Sequence, residues 1–172
     1  MPITYTSGEQ VEVYRFSLPV AILVPIGAVF LQALLPLRMP FVAIFDLPLL
    51  VTIFFAVARR SQVSGLLTGA LIGLLQDSLS GHPIGLYGIA KTVVGFGASS
   101  LGVKIDVENA GARLLLTFGF CIVHQVIYFT VARGLVGLTV GWVWTHELAS
   151  AAANAVLAVA LFAMMDKLKL RA

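Results

Sequence analysis

The sequence predicts an all-α, polytopic membrane protein with six transmembrane helices, and three observations support this prediction. Its 172 residues are 59% hydrophobic and only 11% charged, whereas soluble domains carry about 25% charged residues. The apolar residues form six runs, each close to the ~20 residues that cross a bilayer as a helix. The Lys and Arg residues mostly flank these runs. We therefore expect one membrane domain over residues 1–172, with the lipid bilayer as its surroundings and no nucleic-acid partner.

The six predicted spans follow one another with short connections. They comprise residues 18–35, 41–58, 63–79, 86–103, 112–132 and 147–165. In the first span, Pro25 is expected to cause a kink, because proline removes a backbone hydrogen bond. The glycine-rich segment 133–145 is too short for a span, and its tryptophans, Trp142 and Trp144, are typical of a membrane interface.

The second span has an irregular start. Asp46, Leu47 and Pro48 have the pattern of a helix start, because aspartate caps a helix and proline suits its first turn. A helix from Asp46 to Ala58 would reach only ~20 Å, against a hydrocarbon core of ~30 Å. The sequence allows two alternatives: a less regular segment over residues 41–45, or a continuous helix through Asp46.

The distribution of cations predicts the orientation. An even number of spans places both termini on one side, and eight of the eleven Lys and Arg residues fall there. These eight are Arg15, Arg59, Arg60, Lys104, Arg113, Lys167, Lys169 and Arg171. The opposite side has Arg38, Lys91 and Arg133. Positively charged residues are enriched in cytoplasmic loops, so we expect both termini to be cytoplasmic.

A stripe of glycines marks the third span. Gly65, Gly69 and Gly73 recur every fourth residue, and the same step leads to Asp77. Residues four apart lie on one side of a helix, and small residues there let membrane helices approach closely. A loop of chain-breaking residues follows, formed by Gly81, Pro83, Gly85 and Gly88. We expect a tightly packed helix that ends in a carboxylate and a turn.

Asp77 and Lys91 are predicted to lie at matching depth in a hairpin of spans three and four. Charges at membrane depth are costly and usually pair or face a cavity. An ion pair between these two side chains is the favoured interpretation. A contact with a ligand or partner is an alternative, and so is a Lys91 side chain that extends to the interface.

Other polar residues within or between the spans admit more than one role. His124 can relay protons only with partners, and no other span has a carboxylate at that depth, so His124 and Gln125 are interpreted as interhelical hydrogen-bonding groups. Ser80 and His82 do not form a Gly-x-Ser-x-Gly elbow, and the three histidines lack the spacing of metal ligands. We expect no catalytic residue, metal or cofactor.

The last span has a second small-residue face. Residues 149–153 are alanines except for Ser150, and Asn154 follows them. Packing within the bundle is the first interpretation of this face. The second is docking of another protein's helix, with Asn154 hydrogen-bonded across the contact.

Several of these segments together resemble the rod shape-determining protein MreD family. The resemblance rests on Asp77-Ser78-Leu79-Ser80-Gly81 with Pro83, Gly85 and Leu86 after the glycine stripe, on Asp46-Leu47 before a helix that ends in Arg59-Arg60, and on Asn154-Ala155-Val156-Leu157 before a basic tail. Two positions depart from the family pattern. Phe45 stands where the family often has proline, and Lys91 has no clear counterpart.

The resemblance implies a non-enzymatic subunit of the bacterial cell-elongation machinery in the inner membrane. Such proteins associate with the single-pass protein MreC, which links MreB filaments to the peptidoglycan polymerase RodA and its transpeptidase partner. The family is also distantly similar to the membrane substrate-binding subunits of energy-coupling-factor vitamin transporters, which share a six-helix, glycine-rich fold.

The sequence therefore supports a scaffold whose side-chain-poor seams hold partner helices. Candidate contact or packing residues are Gly65, Gly69, Gly73, Asp77, Ser80, Gly81, Pro83, Gly85 and Asn154. The alternative is a substrate-binding subunit of a vitamin-type transporter. That alternative needs an outward polar pocket, built from Asp77, Lys91, Tyr87 and His82.

Overall fold

The computed structural model describes residues 14–81, 83–103 and 109–170, which form a bundle of six α-helices. These are α1 Leu18–Arg38, α2 Leu47–Arg59, α3 Gln62–Ser80, α4 Leu86–Gly102, α5 Ala110–Gly134 and α6 Trp144–Met165, with short 3-10 helices at Pro40–Ile44 and Asp166–Leu168. Each predicted span contains one α-helix, and no helix occupies residues 135–143. His82, Lys104 and Arg171 lie outside the described residues.

Four of the six helices have the length and composition of membrane spans. These are α1, α3, α5 and α6. The other two are shorter, with 13 residues in α2 and 17 in α4. The apolar helices indicate a multi-pass membrane protein. The orientation of its termini remains a prediction from the distribution of cations.

Helix α2 occupies the centre of the bundle. Every residue from Pro48 to Ala58 is buried, because α2 packs against all five other helices. Around it, α1, α3, α4, α5 and α6 contact one another in that order, and the 3-10 helix Pro40–Ile44 contacts both α1 and α6. The core is therefore built around a helix that crosses only part of the bundle.

The second span is interrupted, as one of the two sequence alternatives proposed. Phe45 is extended, and Asp46 caps α2 by accepting a hydrogen bond from the Leu49 amide at 3.0 Å. From there the 13 residues of α2 reach about 20 Å to Arg59. Asp46 is therefore placed deep inside the bundle, and the space beyond the start of α2 is not filled by a helix.

Candidate functional site

The glycine stripe of α3 lies against α4 within the same chain. A Cβ on Gly69 would overlap the carbonyl group of Lys91, and Cβ atoms on Gly65 and Gly95 would each overlap the other residue's carbonyl oxygen. Gly73 faces the backbone of the residues that begin α4 in the same way. The close packing predicted from the spacing is present, but its partner is α4. These three glycines are buried in the seam and unavailable to another protein.

Asp77 holds the start of α4 in place. Its side chain is buried and accepts backbone hydrogen bonds from Gly85 at 2.8 Å, Tyr87 at 3.0 Å and Gly88 at 3.0 Å. A carboxylate at a helix N-terminus satisfies amides that have no partner inside the helix and interacts favourably with the helix dipole. Asp77 therefore closes the α3–α4 hairpin.

The loop between α3 and α4 adopts the sharp turn that its composition predicts. Gly81 and Gly85 have φ values of 68° and 110°, a region that glycine enters without steric cost. Pro83 is exposed between them. Ser80 Oγ donates a hydrogen bond to the Gln76 carbonyl at 2.7 Å, which is a local contact at the end of α3.

The predicted ion pair between Asp77 and Lys91 is wrong, because Lys91 pairs with a different carboxylate. Lys91 Nζ donates to Asp46 Oδ2 at 2.6 Å, and Lys91 is fully buried, which also excludes extension to the interface. Asp77 is engaged by amides of the first turn of α4, whereas Lys91 lies five residues further along, ~8 Å deeper. At that depth the acceptor that Lys91 meets is the capping carboxylate of the interrupted span.

His124 completes a cluster with this ion pair. Its Nε2 lies 3.3 Å from Lys91 Nζ and 3.8 Å from Asp46 Oδ2. The ring of Tyr87 stacks on the imidazole with centroids 5.9 Å apart and lies 4.9 Å from Lys91 Nζ. The expectation that His124 has no carboxylate at its depth is therefore wrong, because Asp46 is brought there by the start of α2.

Asn154 and Gln32 hold the start of α2 from two sides. Asn154 Oδ1 accepts from the Asp46 amide at 2.9 Å, and its Nδ2 donates to the Ile44 carbonyl at 2.9 Å. Gln32 Oε1 on α1 accepts from the Leu47 amide at 3.0 Å. Asn154 thus satisfies the interrupted backbone inside the bundle, as the packing interpretation proposed, and does not face a partner. The role of Gln32 was missed, although it is the only polar residue in a long apolar run.

A polar cavity of about 210 Å³ lies beyond the start of α2. Polar side chains from α1, α3, α4, α5 and α6 line it, together with Asp46, which caps α2: Gln32, Asp46, Gln76, Tyr87, His124, Gln125, Tyr128, Glu147, Ser150 and Asn154. Gln76, Tyr128 and Glu147 were not identified from the sequence, because each is a single polar residue with no motif around it. Within the described part of the chain, no group of three His, Cys, Asp or Glu side chains has the arrangement of a metal site.

Comparison with known proteins identifies one family. The family model described as rod shape-determining protein MreD matches residues 13–170. Neither a comparison with curated proteins nor one with solved structures found a match. Because the family match covers nearly the whole chain, this six-helix membrane protein belongs to the rod shape-determining protein MreD family.

Proposed function

We propose that this protein is a non-enzymatic scaffold subunit of the bacterial cell-elongation machinery, in the inner membrane. Membership of the MreD family, over residues 13–170, is the observation that carries the proposal, because it gives the protein a role in rod-shape determination. The architecture supports a scaffold: the described residues are almost entirely helices of one bundle. The protein's action is then exerted through the surfaces of that bundle.

The proposed direct partner is an MreC-like single-pass membrane protein. Through it the protein is linked to the cytoplasmic MreB filament and to RodA with its transpeptidase partner. The glycine seam cannot serve as the docking surface that the sequence suggested, because α4 already occupies it. Partner contact is therefore assigned to the outward faces of the bundle.

The outward face of α6 is the best candidate for this contact. Five small or medium residues fall within one 80° sector of the helix, and all are exposed: Ala149, Ala152, Val156, Ala160 and Ala163. Ser150 and Asn154, from the same stretch, face the interior instead. Without a hydrophobic drive in lipid, helices associate through close van der Waals packing, which such a face permits.

Co-purification with the single-pass partner tests this assignment. The double substitution Ala152→Leu with Ala160→Leu adds bulk to the face without touching the core, and we expect it to abolish capture. Gly119→Leu is the matched control, because Gly119 on α5 is also exposed with open space beside it. Capture that survives the α6 substitutions but is lost with Gly119→Leu would contradict the assignment to α6.

A solute-binding subunit of the vitamin-transporter type is the second candidate, and the polar cavity favours it. The lining differs from the pocket expected from the sequence, because Asp77 and Lys91 are engaged by the α4 amides and Asp46. The volume of about 210 Å³ is also below the 300–1,000 Å³ typical of ligand pockets. Stabilisation of the purified protein by a vitamin in a thermal-shift screen would favour this candidate over the scaffold.

A further inference from the structure

The cavity beyond the start of α2 has hydrogen-bonding capacity that the protein itself does not use. Gln76 is 6% exposed, and its Oε1 has no hydrogen-bond partner among the residues that the structure describes. Gln125 Oε1 is likewise without a partner, and the orientation of this amide is set by its Nε2, which donates to the Glu147 carbonyl at 3.2 Å. Leaving a buried acceptor unsatisfied costs about 1–3 kcal/mol. The free atom of Gln125 is therefore an acceptor, so the missing group is a donor, and the Gln76 amide can turn its oxygen to the same group.

The charges around the cavity favour a cationic donor over an anion. Asp46 and Glu147 are the acidic residues among its lining, whereas Lys91 is fully buried behind Asp46. Lys91 balances one of the two carboxylates through the 2.6 Å contact with Asp46. Among the described residues, the carboxylate of Glu147 pairs with His146 alone, at 3.2 Å, and the His146 side chain is largely exposed. An anion placed here would face the Glu147 carboxylate, while the charge of Lys91 is already engaged by Asp46.

The size of the cavity limits what it can hold. A water molecule occupies about 30 Å³ in the liquid, so the volume of about 210 Å³ exceeds the needs of one or two ordered waters. It is smaller than the pockets that bury drug-sized ligands. A functional group with a short alkyl chain fits this range.

We infer that this cavity is a binding site for a small cationic hydrogen-bond donor, namely an alkylammonium or guanidinium group. Gln76, Gln125 and Glu147 supply the acceptors, and Glu147 supplies the negative charge that no lysine or arginine balances in the described residues. The group can come from a free amine or from an ethanolamine lipid headgroup. This inference does not depend on the assignment of a partner to α6.

Ligand titration of the purified full-length protein tests the inference. The probes are butylamine and methylguanidinium, with butanol and butyrate as neutral and anionic controls of similar size. Tryptophan fluorescence is a suitable signal, because Trp142 packs on Phe129 of the cavity wall at 4.7 Å and Trp144 packs on Trp142 at 5.1 Å. We expect saturable changes and a raised unfolding midpoint with the two cations. No saturation with either cation, or an equal response to butanol, would overturn the site.

Substitutions locate the binding within the molecule. Glu147→Gln, which is nearly isosteric, and Gln76→Leu should each weaken cation binding about tenfold or more, since the first removes the negative charge and the second removes an acceptor for a charged donor. Gln76→Glu should strengthen it. Gln62→Leu is the matched control, because Gln62 is an exposed residue at the other end of α3. Affinities unchanged by the three cavity substitutions would place the binding elsewhere and refute the proposal.

Lipid composition separates the two sources of the cation. Butylamine is titrated into protein in phosphatidylcholine nanodiscs, whose headgroup has no ammonium hydrogen, and into protein in phosphatidylethanolamine nanodiscs. Competition by phosphatidylethanolamine identifies a lipid headgroup as the occupant. Equal butylamine affinity in both lipids identifies a free amine.

Discussion

The side chain of Lys91 is the clearest case of how the membrane interior constrains a single residue. It is fully buried, with Asp46 at 2.6 Å, His124 at 3.3 Å and the Tyr87 ring at 4.9 Å from its Nζ. A buried ion pair gains little over a well-packed apolar pair, but removal of one partner leaves an uncompensated charge. The two residues are therefore energetically coupled.

Substitution of Lys91 tests that coupling. Lys91→Met should destabilise the protein by about 3–5 kcal/mol, because the Asp46 carboxyl group loses its buried partner. Asp46→Asn combined with Lys91→Met should recover a large part of this loss, since asparagine is also a good N-cap. Unfolding in detergent measures both, with Lys167→Met as the control at an exposed lysine. A Lys91→Met protein as stable as the parent would show that the pair is not coupled.

For single residues, the sequence predicted which charged side chains need a partner inside the bundle, but it did not identify every such partner correctly. Charge at membrane depth identified Asp77 and Lys91 as residues that must be satisfied internally, and both are. Asp77 was paired with Lys91 because the two residues were expected at the same depth in the hairpin of α3 and α4. The actual acceptor for Lys91 is 45 residues away, and its position depends on how the second span is interrupted.

Among the helices, the α3–α4 hairpin is held closed by the contact of the Asp77 carboxylate with the start of α4. Asp77 on the last turns of α3 accepts three amide hydrogen bonds from the beginning of α4. Gly85 adopts a φ of 110° at the N-cap, a position that has no capping side chain of its own. Asp77 therefore supplies the cap that the local sequence of α4 lacks.

Removal of this cap should open the hairpin locally. Asp77→Ala leaves three amides without acceptors and should cost about 2 kcal/mol or more, at the upper end of measured cap losses. Hydrogen exchange at Gly85, Tyr87 and Gly88 should accelerate, while exchange in α5 stays unchanged. Ser78→Ala is the control, because Ser78 Oγ donates to the Leu74 carbonyl within α3 at 2.9 Å. Protection of the three amides in the Asp77→Ala protein would contradict the capping role.

The elements themselves were largely predictable, because local signals specify them. The Asp-Leu-Pro pattern gave the start of α2, and the apolar runs gave all six helices within a few residues. Glycine spacing indicated a close seam, since the helix period places those residues on one side. It did not identify the facing helix, although Gly88 and Gly95 in α4 provided the matching small-residue signal.

On the scale of the whole molecule, the short central helix α2 explains both the packed core and the cavity of the bundle. Where α2 is present, its side chains fill the space between the other five helices. Beyond its start, polar side chains from the other five helices and the capping residue Asp46 surround the cavity. The sequence could not predict that cavity, because it arises from the arrangement of all six helices and from no single motif.

The glycines of α3 (Gly65, Gly69 and Gly73) pack against α4 within this bundle, so partners bind at other surfaces. The unfolding midpoint of Gly69→Ala, compared with that of Gly119→Ala, tests it most directly. A methyl group at Gly69 overlaps the Lys91 backbone, whereas the space beside Gly119 is open. We expect Gly69→Ala to lose about 1–3 kcal/mol, as overpacked cores do, and Gly119→Ala to be at least as stable as the parent, because alanine favours a helix over glycine. A Gly69→Ala protein that keeps its full stability but no longer captures the single-pass partner would contradict the claim.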